Sequence, residues 1–252
     1  MSPVLPATEL VPLPAAGRRF VGIAEVRLGD TDPNGRLRLD ATARMLQDVA
    51  NDDACDAELP GANGWVVRRS LIDVTRPAVL AETLSLTTFC GGIGRSWAER
   101  RTSIVGDQGA AVEAVTLWIQ VDTSSGRPRP LDRVFHARYG EAAAGRTVSS
   151  RLSLPGPPDA MGAVAVGSWQ VRAADLDVFG HVNNAVAWTL LEERLADAPD
   201  RRGVGEVEYP APVDRQVVDR LTLTPTAHSE PGMDWLIADG RLLVSSRWTP
   251  AS

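Results

Sequence analysis

The chain has 252 residues, 44% of them apolar and 23% charged, an ordinary soluble globular composition long enough for one large core or two small ones. Its 32 acidic residues outnumber 26 basic ones, and a net charge of −6 argues against nucleic acid as a partner, because phosphate binding needs a positive surface. Every basic residue is arginine, so Schiff-base chemistry on lysine is excluded, and no run approaches the roughly 18 apolar residues of a membrane span.

In chain order, residues 1–18 are rich in proline and alanine and read as a loose N-terminal arm. They lack the basic start and continuous apolar stretch of a signal peptide. From Val26 the chain reads Val-Arg-Leu-Gly-Asp-Thr-Asp-Pro-Asn-Gly, which ends a strand-like segment and leads into a helix-like one. Asp40 is placed to cap that helix, with Met45, Leu46, Val49 and Ala50 on one face. Asp48, Asp52, Asp53, Asp56 and Glu58 follow without a histidine partner or calcium-loop spacing, and read as a solvated helix end. Strand-like runs rich in Val, Ile, Leu, Thr and Trp come at 65–75, 83–90, 97–105 and 111–121. Gly91-Gly92-Ile93-Gly94, flanked by strands and followed by no helix, reads as a hairpin turn and not a nucleotide loop. Arg127, Arg129, Arg133 and Arg138 then form a basic stretch. The only cysteines, Cys55 and Cys90, form neither a disulfide framework nor a zinc spacing, and fit a cytoplasmic setting.

Residues 139–164 contain Ala-Ala-Ala-Gly, Ser-Ser and Leu-Pro-Gly-Pro-Pro and read as a linker. Beyond it, Val171-Arg172-Ala173-Ala174-Asp175-Leu176-Asp177-Val178-Phe179-Gly180 lies over Val26–Gly35 without a gap, 145 residues later, sharing Val, Arg, both Asp and Gly. Asn183 or Asn184 can cap the helix that follows, which carries Val186, Leu190, Leu191 and Leu195. Strand-like runs recur at 205–209, 217–227, 235–238 and 242–248. One helix followed by several antiparallel strands, occurring twice, is an α+β duplication.

Asp-x-x-Gly-His-Val-Asn-Asn opening a helix, here Asp177 to Asn184, resembles the signature of hot-dog-fold thioesterases. Trp65–Val74, Arg95–Arg101 and Ala114–Trp118 resemble first-domain strands of plant and bacterial acyl-ACP thioesterases. The resemblance covers most of residues 19–210. It implies a tandem double hot dog, each half an antiparallel sheet wrapped around a central helix: an N-terminal domain over 19–138, the linker 139–164, and a C-terminal domain over 165–252. It further implies an acyl chain held largely by the first half, chemistry in the second, and acyl carrier protein as the partner that delivers the fatty acyl thioester. In plant members the motif is Asp-x-Asn-x-His. Asp177 and His181 match its ends, and Phe179 stands at the Asn position. The plant pattern also has a carboxylate soon after a Glu-Tyr pair. Here Glu208-Tyr209 is followed by Pro-Ala-Pro-Val, with Asp214 the nearest acid.

These residue types suit thioester hydrolysis. Asp177 can act as general base or nucleophile, and His181 can orient it, hold water or protonate the leaving thiolate. Gly180 lets the backbone approach the substrate, while Asn183 and Asn184 support the turn or bind substrate. Unpaired N–H groups at a helix start suit a developing oxyanion. The first copy has Asp32 but Arg36 in place of the histidine, so it reads as non-catalytic. The chemistry needs no cofactor and no metal. Acyl-CoA hydrolysis and non-catalytic acyl binding stay open as alternatives. Acyl-chain length and oligomeric state are left undetermined by the sequence.

Overall fold

A computed structural model describes residues 9–59, 64–157, 165–198, 200–223 and 232–251. The first half runs β1 (Arg19–Glu25), a 3₁₀ turn at Leu28–Asp30, α1 (Leu39–Asp56), β2 (Trp65–Arg76), β3 (Thr83–Ile93), β4 (Trp97–Gly106), β5 (Ala111–Gln120) and α2 (Arg133–Tyr139). The second runs β6 (Ala165–Gln170), a 3₁₀ turn at Ala173–Asp175, a 3₁₀ segment at Asn184–Trp188 leading into α3 (Thr189–Arg194), then β7 (Gly203–Glu208), β8 (Val217–Leu223), β9 (Gly232–Ala238) and β10 (Arg241–Pro250). Each of the eight strand-like runs of the sequence is a strand, and β1 and β6 are the segments that lead into the two repeat copies. The expected end of the 217–227 strand lies outside the described residues.

The strands form one 10-stranded sheet in the order β1-β3-β4-β5-β2-β7-β10-β9-β8-β6. Counted within each half, that order is first, third, fourth, fifth, second, and then the same series reversed. A pseudo-twofold therefore passes between β2 and β7, which pair antiparallel with Ile72 opposite Gly205. The fold is the α+β hot dog twice over. α1 buries Leu39, Ala43, Leu46, Val49 and Ala50, a stripe at helical spacing. Full burial of Leu46 or Val49 contributes about 2 kcal/mol. At the axis, a Cβ on Gly205 would stand 2.8 Å from Trp188 and 3.2 Å from Leu191. Only glycine lets the second helical segment sit this close to β7.

Several sequence expectations are corrected here. Asp40 does not cap α1: the cap position is Arg38, and Asp40 lies inside the first turn, buried and bound to Arg38 and Arg44. The first helical N–H, that of Leu39, instead meets Glu192 Oε1 of α3 at 2.5 Å, so a carboxylate from the other half supplies the missing cap. Asp53 is not solvated but 1% exposed, held by Arg18 Nε at 2.7 Å, Arg100 Nη1 at 2.5 Å and the Tyr139 hydroxyl at 2.8 Å. Gly91 and Gly92 belong to β3 at a bulge, where a Cβ on Gly92 would stand 2.4 Å from Val148, and the turn itself starts at Gly94, whose N–H bonds Trp97 O. The basic stretch contains a helix the sequence reading did not mark: Asp132 caps α2 through Phe135 N, and Phe135 and Tyr139, one turn apart, are buried.

The connecting segment is pinned across the sheet over its described residues. Glu208 accepts from Ser153 N and Leu154 N, Trp97 Nε1 donates to Val148 O, and Trp235 Nε1 donates to Pro155 O. Within residues 9–18, Val11 is buried and its carbonyl accepts from Arg101 Nε.

Candidate active site

The local geometry of the two repeat copies is the same. Arg172 and Asp175 form a capping box around the 3₁₀ turn, as do Arg27 and Asp30. Asp177 N donates to His181 O at 2.8 Å and Gly180 N donates to Asp177 O at 3.0 Å, the bonds that Asp32, Arg36 and Gly35 make in the first copy. Gly180 has φ 78° and Gly35 φ 75°, the left-handed conformation that favours glycine. Asp177 Oδ1 accepts from Phe179 N at 2.9 Å and His181 N at 3.1 Å. Its second oxygen accepts no hydrogen bond from the described residues.

Asp177 lines a cavity of about 520 Å³ together with Val178, Phe179, Asn183 and Asn184. The rest of the wall belongs to the first half. Gln47, Asn51 and Ala54 come from α1, Trp65 from β2, Cys90 from β3, Arg100 from β4, Trp118 from β5, and Phe135 and Tyr139 from α2. Phe135 stacks between Trp65 and Tyr139, with ring centroids 5.5 and 5.0 Å away. Burial pushes the Cys90 thiol up to about 11, so it stays protonated at neutral pH. Burial also raises the Tyr139 phenol above its ordinary range. It therefore donates to Asp53 as a neutral hydroxyl.

Of the residues singled out in the sequence, Asp177, Asn183 and Asn184 share the cavity wall. Asn183 is the cap of the second helical segment, its Oδ1 accepting from Ala185 N at 2.9 Å. Asn184 is held from below by the buried Tyr209, whose hydroxyl donates to Asn184 O at 2.8 Å. The Asn184 N–H has no acceptor among the described residues. His181 stands on the same turn but does not line the cavity. Its ring is half exposed, with Nε2 3.7 Å from Asp214 Oδ1. Glu208 and Tyr209 thus fix the linker and the Asn184 backbone. Missed in the sequence were the α1 face of Gln47 and Asn51 and the aromatic wall of α2. The Phe135–Tyr139 spacing behind Asp132 was the signal for the latter.

The family model for the acyl-ACP thioesterase N-terminal domain matches residues 18–139, and that for the acyl-ACP thioesterase C-terminal domain matches residues 160–215. Two proteins from Mycobacterium tuberculosis strains, both described as uncharacterized, are each 29% identical over 191 residues, 75% of this chain and 75% of theirs. Among solved structures, an oleoyl thioesterase from Lactobacillus plantarum superposes with a TM-score of 0.76 at 19% identity, covering 96% of this chain and 100% of its own. The 12:0-ACP thioesterase from Umbellularia californica gives 0.73 at 18%, covering 92% and 96%. An acyl-ACP thioesterase from Bacteroides thetaiotaomicron gives 0.72 at 16%, covering 92% and 97%. At these identities the superpositions establish the fold, and the family models speak to kinship.

Proposed function

This chain belongs to the acyl-ACP thioesterase family, and on that premise we propose that Asp177 and His181 hydrolyse the thioester of a fatty acyl-acyl carrier protein at the mouth of the shared cavity. The observation that carries this reading is that the Asp177 turn lines a cavity whose remaining wall comes from the first half. The acyl chain lies among the aromatic side chains of that half, and its thioester carbon comes to Asp177. The free carboxylate oxygen of Asp177 activates water or attacks the carbonyl directly. The Asn184 N–H faces the developing oxyanion, where a fixed donor in a partly dry site costs no reorganisation. His181, on the outer side of the turn, meets the thiol side of the ester and gives the leaving thiolate a proton. Asp214 Oδ1 stands 3.7 Å from its Nε2.

Carrier protein is acidic, and of the exposed arginines Arg127 and Arg129 precede α2 and Arg133 opens it, the helix whose inner side chains line the cavity. That proximity makes them the docking surface we assign to the carrier. The reaction belongs to fatty acid biosynthesis in the cytoplasm, where two unpaired cysteines stay reduced. Among the described residues no helix is long and apolar enough to cross a membrane.

Thiol release measured over acyl-ACPs and acyl-CoAs of several lengths tests the reading. The expected result is a higher kcat/KM for the carrier-bound chain. Neutralising the three arginines should slow acyl-ACP turnover more at low salt than at high salt. A higher kcat/KM for CoA esters of the same chain overturns the carrier preference. Acyl binding without hydrolysis above the uncatalysed rate overturns catalysis.

A further inference from the structure

From the pseudo-twofold we infer that Gln47, a side chain of the first half, is a catalytic residue of the second: its amide donates to the thioester carbonyl oxygen beside Asp177. The inference rests on the thioesterase reading of the Asp177 turn and adds a residue to it.

In the first repeat copy arginine stands where the second has His181. There the first N–H of α1, from Leu39, is bound by the Glu192 carboxylate of α3. Arg201 pairs with that same Glu192 and lies 3.8 Å from Asp32 Oδ2. Asp32 and Glu192 thus flank one point, and Arg201 fills it. The pseudo-symmetric counterparts lie 145 residues away: Asp177 for Asp32, Asn184 for Leu39 and Gln47 for Glu192. The equivalence is borne out in space, because Gln47, Asp177 and Asn184 all line the same cavity, and Gln47 and Asn184 also meet at a second, smaller one.

In the second half no ion pair among the described residues bridges Asp177 and Gln47, and both line the cavity. Gln47 is half-buried and its side-chain amide makes no hydrogen bond to any described residue, and the Asn184 N–H has no acceptor among them either. In the first half the equivalent backbone donor, Leu39 N–H, already holds a carboxylate oxygen, which shows what that donor accepts: an oxygen bearing negative charge. A neutral amide in place of Glu192 keeps the backbone donor open, adds an N–H donor of its own and avoids repelling Asp177. An oxygen that gains charge in the transition state fits between them.

The test is steady-state kcat for wild type, Gln47→Glu and Gln47→Ala on acyl-ACP. Gln47→Glu keeps the size, replaces the donor with a second anion beside Asp177 and recreates the contact of Glu192 with Leu39. It should lower kcat on the order of 100-fold, and Gln47→Ala by a smaller factor. Both variants turning over within about twofold of wild type would overturn the assignment. If wild type releases no thiol, the thioesterase reading has failed and the catalytic role of Gln47 falls with it; wild-type turnover matched by both variants overturns the Gln47 assignment alone.

Discussion

The two repeat turns share a backbone and differ in what surrounds it. Asp32 and Asp177 accept the same pair of backbone N–H groups and close the same glycine turn. Around Asp32 the remaining oxygen is taken by Arg36 Nε at 2.9 Å, Arg201 stands behind it, and Glu192 stops the helix start. Burial alone would raise the Asp32 carboxyl, but hydrogen bonds from the Arg36 backbone and guanidinium hold it below its usual value. Around Asp177 no arginine among the described residues pairs, histidine replaces Arg36 at the fifth position of the turn, and a cavity replaces the ion network. The duplicated turn is a means of aiming a carboxylate. In the first copy Arg36 of the turn itself and Arg201 of the other half tie the carboxylate into structure, and in the second the other half supplies a cavity wall instead.

The largest expected effect separates the two copies directly. Asp177→Asn keeps an acceptor for Phe179 N and His181 N while removing the charge. We expect kcat to fall by roughly 10²- to 10⁴-fold, with the circular dichroism spectrum unchanged. Asp32→Asn should leave kcat near wild type, because its oxygen is tied up in an ion pair far from the thioester. Similar kcat losses in both variants would sink the distinction between the turns. His181→Ala comes next, with a loss of roughly 10-fold, smaller because a thiolate can leave before it is protonated. An unchanged kcat across the pH range would remove His181 from the mechanism.

How much of this was legible beforehand follows from the range of each interaction. The repeat, the glycine turn and the Asn183 cap are made by residues within about ten positions of one another, and the sequence displays them. The strands show in the same way, through β-branched runs. The cavity wall does not. Gln47 and Asn184 are far apart in the chain, as are Leu39 and Glu192, and no local pattern links them. Asp53 reads as one of five acids at a polar helix end. Its burial depends on Arg18, Arg100 and Tyr139, which arrive from three other segments. Asp40 misled for a related reason: a good local cap lost to a carboxylate supplied through tertiary structure.

Asp32→Asn sharpens the comparison through stability. A buried partner of Arg36 is lost, and the unfolding midpoint should drop by about 2–6 °C near pH 7. The sign with pH follows from the depressed carboxyl. Its contribution is fully present above the unfolded value, about 3.9, and is lost as pH falls through the lower folded value. The gap in midpoint between wild type and Asp32→Asn should therefore hold from neutral pH down to about 5 and close below about pH 4. A gap that widens in acid would mean that Asp32 is not held ionised by Arg36.

The smallest effect concerns Asp214, and it tests whether the second copy borrows its acid from outside the repeat. In the first copy the fifth residue of the turn, Arg36, reaches back to Asp32. In the second, His181 Nε2 stands 3.7 Å from Asp214, with side chains 48% and 68% exposed. Water screens a pair this open, so the interaction is worth a fraction of a kcal/mol. Asp214→Asn should leave the fold and KM unchanged and lower kcat by only about 2- to 3-fold, by loosening the ring that delivers the proton. The sharper readout is the double variant. In a His181→Ala background Asp214→Asn should lower kcat no further, because the ring that it stands beside is gone. A loss of about 2- to 3-fold that persists in that background would assign the effect to the general field around Asp177 and leave His181 without an acid partner.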